Sequence, residues 1–122
     1  MRLVLDSDPQ ILTVRSYAAG EIDIAGQKIC APCIVTGARL ITDWAVASAA
    51  ALDLAALEPL LALQPKVVII GADAPEVPAA GALRRTLERR AIAFELMTLG
   101  AACRTYNVLA QERREVVAGL FP

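Results

Sequence analysis

The second half of the chain alternates between short apolar runs and amphipathic segments, and this alternation is the strongest constraint on the fold. Residues 66–71 form a β-branched run without polar alternation, bounded by Pro65 and Gly71, which is typical of a strand buried on both faces. The segments that follow are expected to be helix, strand, helix and strand, at about 80–91, 92–97, 101–113 and 115–121. Because strands that alternate with helices pair in parallel through crossovers, this half predicts a parallel sheet covered by helices.

The first half carries β-strand signals followed by a helical segment. Residues 21–25 alternate polar and apolar side chains, the period-two pattern of a half-buried strand. Turn glycines divide the run and predict strands near 12–18, 21–25, 27–35 and 39–45. From residue 45 to 63 the composition changes to alanine and leucine, with Asp53 as the expected N-cap of a helix that Pro59 would kink.

Together these segments predict one α/β domain over residues 1–122. Its expected architecture is a mixed central sheet with crossover helices in the second half and an additional N-terminal antiparallel β-layer. A domain near this size buries about two-thirds of the surface that its unfolded chain exposes, which is enough for a core.

Composition excludes several classes of function. The chain has no histidine, which removes the commonest general base and metal ligand, and no cofactor or metal is expected. Its 12 basic and 13 acidic residues give a net charge of −1, which does not indicate a nucleic-acid partner. No apolar run approaches the ~20 residues of a membrane span, and the first residues do not resemble a signal peptide. We therefore expect a cytoplasmic protein.

The segment 101–107, with sequence AACRTYN, concentrates polar function in two helical turns. We expect Cys103 in the first turn of its helix, where the unpaired backbone N–H groups and Arg104 would favour the thiolate. Tyr106 and Asn107 follow at i+3 and i+4 and can share a face with it. The residues Cys103, Arg104, Thr105, Tyr106 and Asn107 are therefore candidate binding groups, although a buried free cysteine such as Cys103 is more typical of an inert packing residue.

The loop from Gly71 to Pro75 is a second candidate site. It follows the most buried strand, and ligands of open α/β sheets bind at the carboxyl ends of strands. Gly71 and Asp73 are the candidate binding residues there. The competing interpretation is an ordinary turn in which Asp73 is a capping residue.

Three further features have alternative interpretations. Cys30 and Cys33 have the spacing of redox sites, but strand-like residues flank them on both sides, so a thiol-redox role has weak support and their pairing is left open. The arginines between 84 and 90 are typical of a solvated helix face, or of a docking patch for an acidic partner. Trp44 is expected to be a packing residue.

The AACRTYN string and its surroundings resemble a known family. Residues 95–98 and 112–114, Trp44 and the run 68–71 extend the similarity from about Gly20 to Pro122. The chain is similar to the small domain family that includes mitochondrial complex I assembly factor 3 and the adipogenesis-associated domain protein. That resemblance implies an α/β fold with a mixed sheet and an extra β-layer, and it implies adaptors of respiratory complex I assembly rather than enzymes.

The sequence therefore favours a non-enzymatic interaction domain of a bacterial protein, related to complex I assembly, with a protein partner. The alternative is a small-molecule-binding protein or enzyme in which Cys103 is the nucleophile and Asp73 or Tyr106 handles protons. The sequence leaves the oligomeric state open.

Overall fold

A computed structural model describes residues 10–73 and 76–122. The chain first forms a three-stranded antiparallel sheet, from β1 (Val14–Ala18), β2 (Glu21–Ile24) and β3 (Gln27–Ile29) in the order β1-β2-β3. This sheet is the N-terminal β-layer that the sequence predicts. The buried Ile22 and Ile24 point into the core from β2, in agreement with the period-two pattern of residues 21–25.

A five-stranded mixed sheet forms the centre of the fold. Its strands are β4 (Cys33–Thr36), β5 (Leu40–Ile41), β6 (Val67–Ala72), β7 (Ala93–Met97) and β8 (Val116–Phe121). They lie in the order β5-β4-β8-β6-β7, with β6 parallel to both β7 and β8, and β4 antiparallel to β8. The predicted α/β class, with parallel strands in the second half and an antiparallel layer before them, is confirmed.

Three α-helices connect and cover the central sheet. They are α1 (Leu54–Leu61), α2 (Ala80–Glu88) and α3 (Leu99–Gln111). The buried side of α3 packs with the β-layer on one face of the sheet, whereas α1 and α2 pack on the other. The side chains of β6 alternate between the two faces of the sheet. Ile69 packs on the side of α3 and the β-layer, whereas Val68 and Ile70 pack on the side of α1 and α2. Both faces of β6 are therefore buried, as its unbroken apolar run requires.

Two predicted strands are wrong in extent. The segment 27–35 is not one strand, because Cys30 to Pro32 carry the chain from the β-layer to the central sheet. Pro32 has no N–H to give to a sheet ladder, which favours a break there. The predicted strand 39–45 is limited to β5, since Trp44 turns inward and its indole N–H donates to the carbonyl of Ala56 at 2.9 Å.

The alanine- and leucine-rich segment 45–63 becomes α-helical only at Leu54, later than its composition indicates. A short 3₁₀ turn, Ala49–Ala51, precedes α1. Asp53 is the N-cap of α1, as predicted, and its carboxylate accepts the N–H of Ala56 at 2.8 Å. Pro59 lies inside this eight-residue helix. Within residues 10–73 and 76–122, no helix is both long enough and apolar enough to cross a membrane.

Candidate functional site

Asp73 lies just beyond the carboxyl end of β6 and caps a helix that begins 26 residues later. Its Oδ1 accepts the backbone N–H of Leu99, the first residue of α3, at 2.9 Å. The adjacent N-cap, Thr98, makes no side-chain hydrogen bond of its own to the helix. A carboxylate at this position satisfies an unpaired N–H and complements the positive end of the helix dipole. Asp73 is therefore a capping residue, but the helix that it caps is α3, which is distant in sequence, and not a neighbouring element of its own turn.

Gly71 allows α3 to lie close to the central sheet. A Cβ atom at Gly71 would lie 2.5 Å from Cβ of Ala102 and 3.1 Å from Cδ2 of Leu120. Only a hydrogen in place of a side chain fits this space, so the helix and β6 meet almost backbone to backbone. Gly71 is buried and has a packing role at this end of the sheet.

The expected position of Cys103 in the first turn of α3 is wrong. The helix begins at Leu99, so Cys103 is its fifth residue and lies beyond the unpaired N–H groups. Burial raises the pKa of the Cys103 thiol to about 11; the Arg104 guanidinium lowers it by a smaller amount and the Asp73 carboxylate raises it. Burial, with a contribution from Cys103, also raises the pKa of Cys33 to about 12. Both thiols therefore remain protonated at pH 7, contrary to an activated nucleophile.

In the folded protein at pH 7, iodoacetamide is expected to modify Cys30 well before the other two cysteines. Cys30 is exposed, whereas Cys33 and Cys103 are buried and their raised pKa values keep them in the unreactive thiol form. Mass spectrometry should find one alkylated residue in buffer and three in urea. Modification of Cys103 as fast as Cys30 in buffer would contradict this assignment and restore the nucleophile hypothesis.

Tyr106 and Asn107 are directed into the fold. The hydroxyl of Tyr106, which is fully buried, donates to the carbonyl of Leu12 at 2.7 Å, and burial raises its pKa. The Asn107 side chain accepts the N–H of Val14 and donates to the Val14 carbonyl, both at 2.8 Å. Its amide therefore pairs with β1 as a neighbouring strand would. These two predicted recognition residues hold the β-layer against α3.

Arg104 points outward and contacts Tyr17, which no sequence pattern singles out. Its Nη1 donates to the hydroxyl of Tyr17 on β1 at 2.6 Å. The Tyr17 ring lies over Gly100, where a Cβ atom would come within 2.7 Å of the hydroxyl oxygen. Thr105, the next residue of the predicted set, is only partly exposed. Arg104 is thus the member of the set with an exposed side chain.

Three exposed side chains, that of Arg104 included, lie along the same side of α3 or beside it. Among the residues that the structure describes, the large hydrophobic side chains that remain exposed are Tyr17, at 44%, and Val108, at 56%. Tyr17 contacts Arg104, and Val108 lies one helical turn beyond it on α3. We call Tyr17, Arg104 and Val108 the α3 surface. The i+4 spacing of Arg104 and Val108 was the available sequence signal.

A separate crevice opens at the carboxyl ends of β6 and β8, with a volume of about 650 Å³. The residues that line it come from five segments: Ala19, Gly20, Cys30, Pro32, Ala47–Ala50, Ala72, Asp73, Glu76, Phe121 and Pro122. We call it the carboxyl-end crevice. It contains Asp73 but none of the predicted residues of α3, so the two candidate sites are different surfaces. Residues 74 and 75 of the predicted loop lie outside the described residues.

The remaining sequence features have structural roles or stay unassigned. Cys30 and Cys33 are both free thiols, one exposed and the other buried, with no helix between them. Arg84 packs on β7: its guanidinium lies 5.4 Å from the centre of the Phe94 ring, and its Nε donates to the Phe94 carbonyl at 3.3 Å. Trp44 is buried and lies 5.1 Å from the Phe121 ring, measured between centroids, as expected of a packing residue.

Several known proteins are similar to this chain in sequence or in fold. The chain is 28% identical over 111 residues to NADH dehydrogenase (ubiquinone) 1 alpha subcomplex assembly factor 3 of Danio rerio, an alignment that covers 89% of this chain and 63% of the relative. It therefore spans less than two thirds of that relative's length. A Xanthomonas campestris protein whose structure was solved by NMR has 30% identity, a TM-score of 0.81 and coverage of 94% of this chain and 88% of that chain.

A Bordetella pertussis protein, described as an Mth938-like domain and also solved by NMR, has the same fold. Its TM-score is 0.81 at 22% identity, with coverage of 100% of this chain and 92% of that chain. A family described as "Protein of unknown function (DUF498/DUF598)" matches residues 14–121. Since this match extends from β1 to the last residue of β8, the chain belongs to the DUF498/DUF598 family.

Proposed function

We propose that this protein is a non-enzymatic interaction domain that takes part in the assembly of a respiratory protein complex, and that it acts in the cytoplasm. The similarity to an assembly factor, over 89% of the chain, supports the assembly role. The observation that carries the proposal is the α3 surface, where Tyr17 and Val108 flank Arg104.

The composition of the α3 surface suits recognition of a protein. Tyrosine and arginine are enriched at the centres of protein interfaces, where they carry much of the binding energy. The Tyr17 hydroxyl holds one guanidinium nitrogen of Arg104 and so restricts the side chain before a partner arrives. Less side-chain entropy is then lost on binding, and a carboxylate could accept from the remaining guanidinium N–H groups, for which the described part of the chain shows no hydrogen-bond partner.

The helix that carries this surface is fixed at several points. Asp73 caps its first turn, Gly71 allows its close contact with β6, and Asn107 binds the β1 backbone. Arg104 and Val108 are therefore displayed on a rigid element, as a preorganised interface requires. The partner surface that fits is an apolar contact for Val108 beside an acidic side chain for Arg104.

The alternative function, an enzyme that uses Cys103, has less support. The thiol is buried, and its pKa is raised to about 11. Tyr106, which was to handle protons, donates its hydroxyl hydrogen to a backbone carbonyl inside the fold.

Capture of the tagged protein from its native cells, followed by mass spectrometry, tests the proposal. The unmodified protein is expected to recover components of a respiratory complex or of its assembly. The double variant Arg104→Glu, Val108→Ser should lose them, because it reverses the charge and removes the apolar contact of the α3 surface while both positions remain exposed. Recovery of the same proteins by the variant would place the interface elsewhere.

A further inference from the structure

The carboxyl-end crevice lies where the order of the parallel strands reverses. The chain passes from β6 through α2 to β7 on one side of β6, and then through α3 to β8 on the other side. In open α/β sheets, ligands bind outside the carboxyl ends of strands at such a reversal. The crevice volume, about 650 Å³, is within the usual range for a small-molecule site.

The charges in the crevice disfavour an anionic ligand. The start of α3 is the place where a phosphate or carboxylate would be held in many α/β proteins. Here Asp73 of the chain itself occupies that position, with its Oδ1 bound to the N–H of Leu99. A ligand anion would have to displace this carboxylate or approach it against charge repulsion.

The same charges favour a cationic ligand. Asp73 and Glu76 both line the crevice, and none of the lining residues that the structure describes is a lysine or an arginine. The described hydrogen bond of Asp73 uses Oδ1 only, so Oδ2 has no partner among the described residues. The other walls are mostly apolar, with Ala72 at the end of β6 and Phe121 at the end of β8. An ammonium group beside the carboxylates and an alkyl body against these walls would match both parts of the surface.

We infer that the carboxyl-end crevice binds a small alkylammonium ligand, with Asp73 and Glu76 receiving the ammonium group and the apolar walls receiving the alkyl chain. This site is separate from the α3 surface and does not depend on the proposed assembly role. The inferred ligand is a free small molecule, for which an open crevice of about 650 Å³ lined by five segments of the chain has a suitable size.

Titration of the ¹⁵N-labelled protein with n-hexylamine hydrochloride tests this inference, with sodium hexanoate as a probe of the same chain length and opposite charge. Both titrations are run at pH 7 and constant ionic strength, and ¹H–¹⁵N spectra report the backbone amides. Hexylammonium is expected to give saturable shifts at Gly20, Cys30, Ala50 and Phe121, whereas hexanoate should not.

Two charge-matched variants complete the test. The double variant Asp73→Asn/Glu76→Gln removes both carboxylates, while the asparagine keeps an oxygen that can cap Leu99. This variant should bind hexylammonium about tenfold more weakly, as expected for the loss of two exposed ion pairs. Glu88→Gln, Glu112→Gln makes the same change in net charge at residues that do not line the crevice, and should leave binding unchanged. Absence of saturable shifts, equal binding of hexanoate, or an unchanged affinity in the Asp73 and Glu76 variant would each overturn the inference.

Discussion

Replacement of Tyr106 by alanine is expected to lower the free energy of unfolding by about 3–5 kcal/mol, the range for truncation of a large buried aromatic side chain. Tyr106 is fully buried between α3 and the β-layer, and its hydroxyl holds the Leu12 carbonyl. The variant loses the ring contacts and leaves a cavity at this junction. Urea unfolding, followed by circular dichroism, measures the change.

The variant Tyr106→Phe distinguishes the contribution of the hydroxyl to stability from that of the ring. It is expected to cost about 1–2 kcal/mol, because the ring stays in place and one buried hydrogen bond is lost. Tyr17→Ala is the matched surface control, since Tyr17 is 44% exposed and should cost much less than Tyr106→Ala. Equal destabilisation by Tyr17→Ala and Tyr106→Ala would contradict the assignment of Tyr106 to the core.

Gly71→Ala is expected to lower the free energy of unfolding by about 2–3 kcal/mol, although it adds a single methyl group. Either β6 or α3 must shift to make room for that group, and overpacking a filled core usually has a cost of this size. The new Cβ would lie 2.5 Å from Cβ of Ala102, on a helix that is held at both the cap and the β1 contact. The comparison is again made by urea unfolding.

Two controls isolate this contact. Gly81→Ala makes the same chemical change on α2, where the nearest atom is the flexible Arg85 guanidinium at 3.5 Å, and should be neutral or stabilise the protein by up to about 1 kcal/mol. Adding Ala102→Gly to Gly71→Ala removes the opposing methyl group and should recover part of the lost stability. If Gly71→Ala behaves like Gly81→Ala, the close packing of α3 on β6 is wrong.

The sequence predicts the fold class because the period of its hydrophobic pattern is local information. The β-branched run 66–71 and the amphipathic segments after it specify strands and helices without reference to the rest of the chain. The limits of the elements depend on distant residues and are less accurate. Helix α3 begins at Leu99, whose N–H is bound by Asp73 from 26 residues before it, and Cys103 therefore lies beyond the first helical turn.

In the candidate site, too, the features that depend on residues distant in sequence could not be predicted. Arg104, Tyr106 and Asn107 are adjacent in sequence, but only the docking of β1 decides which of them faces the solvent. Tyr17 could not be assigned to Arg104 from the sequence, since 87 residues separate them. The position of Asp73 after the buried strand predicts a site at that end of the sheet, and Asp73 lines a crevice there. Cys30, which follows β3, reaches that crevice through the tertiary fold, whereas Glu76 lies only three residues after Asp73 in the sequence.

The central claim is that the α3 surface binds a protein partner, and quantitative capture from native cells tests it most directly. Three tagged proteins are compared: the unmodified chain, the double variant Arg104→Glu/Val108→Ser, and the control Arg85→Glu/Ala82→Ser. The control makes the same charge reversal and also introduces a serine at an exposed position, both on α2. We predict that the partner is recovered equally by the unmodified protein and the control, and at least about tenfold less by the α3-surface variant, which corresponds to about 1.4 kcal/mol of lost binding energy. Equal recovery by all three proteins, or loss of the partner only in the α2 control, would contradict the account.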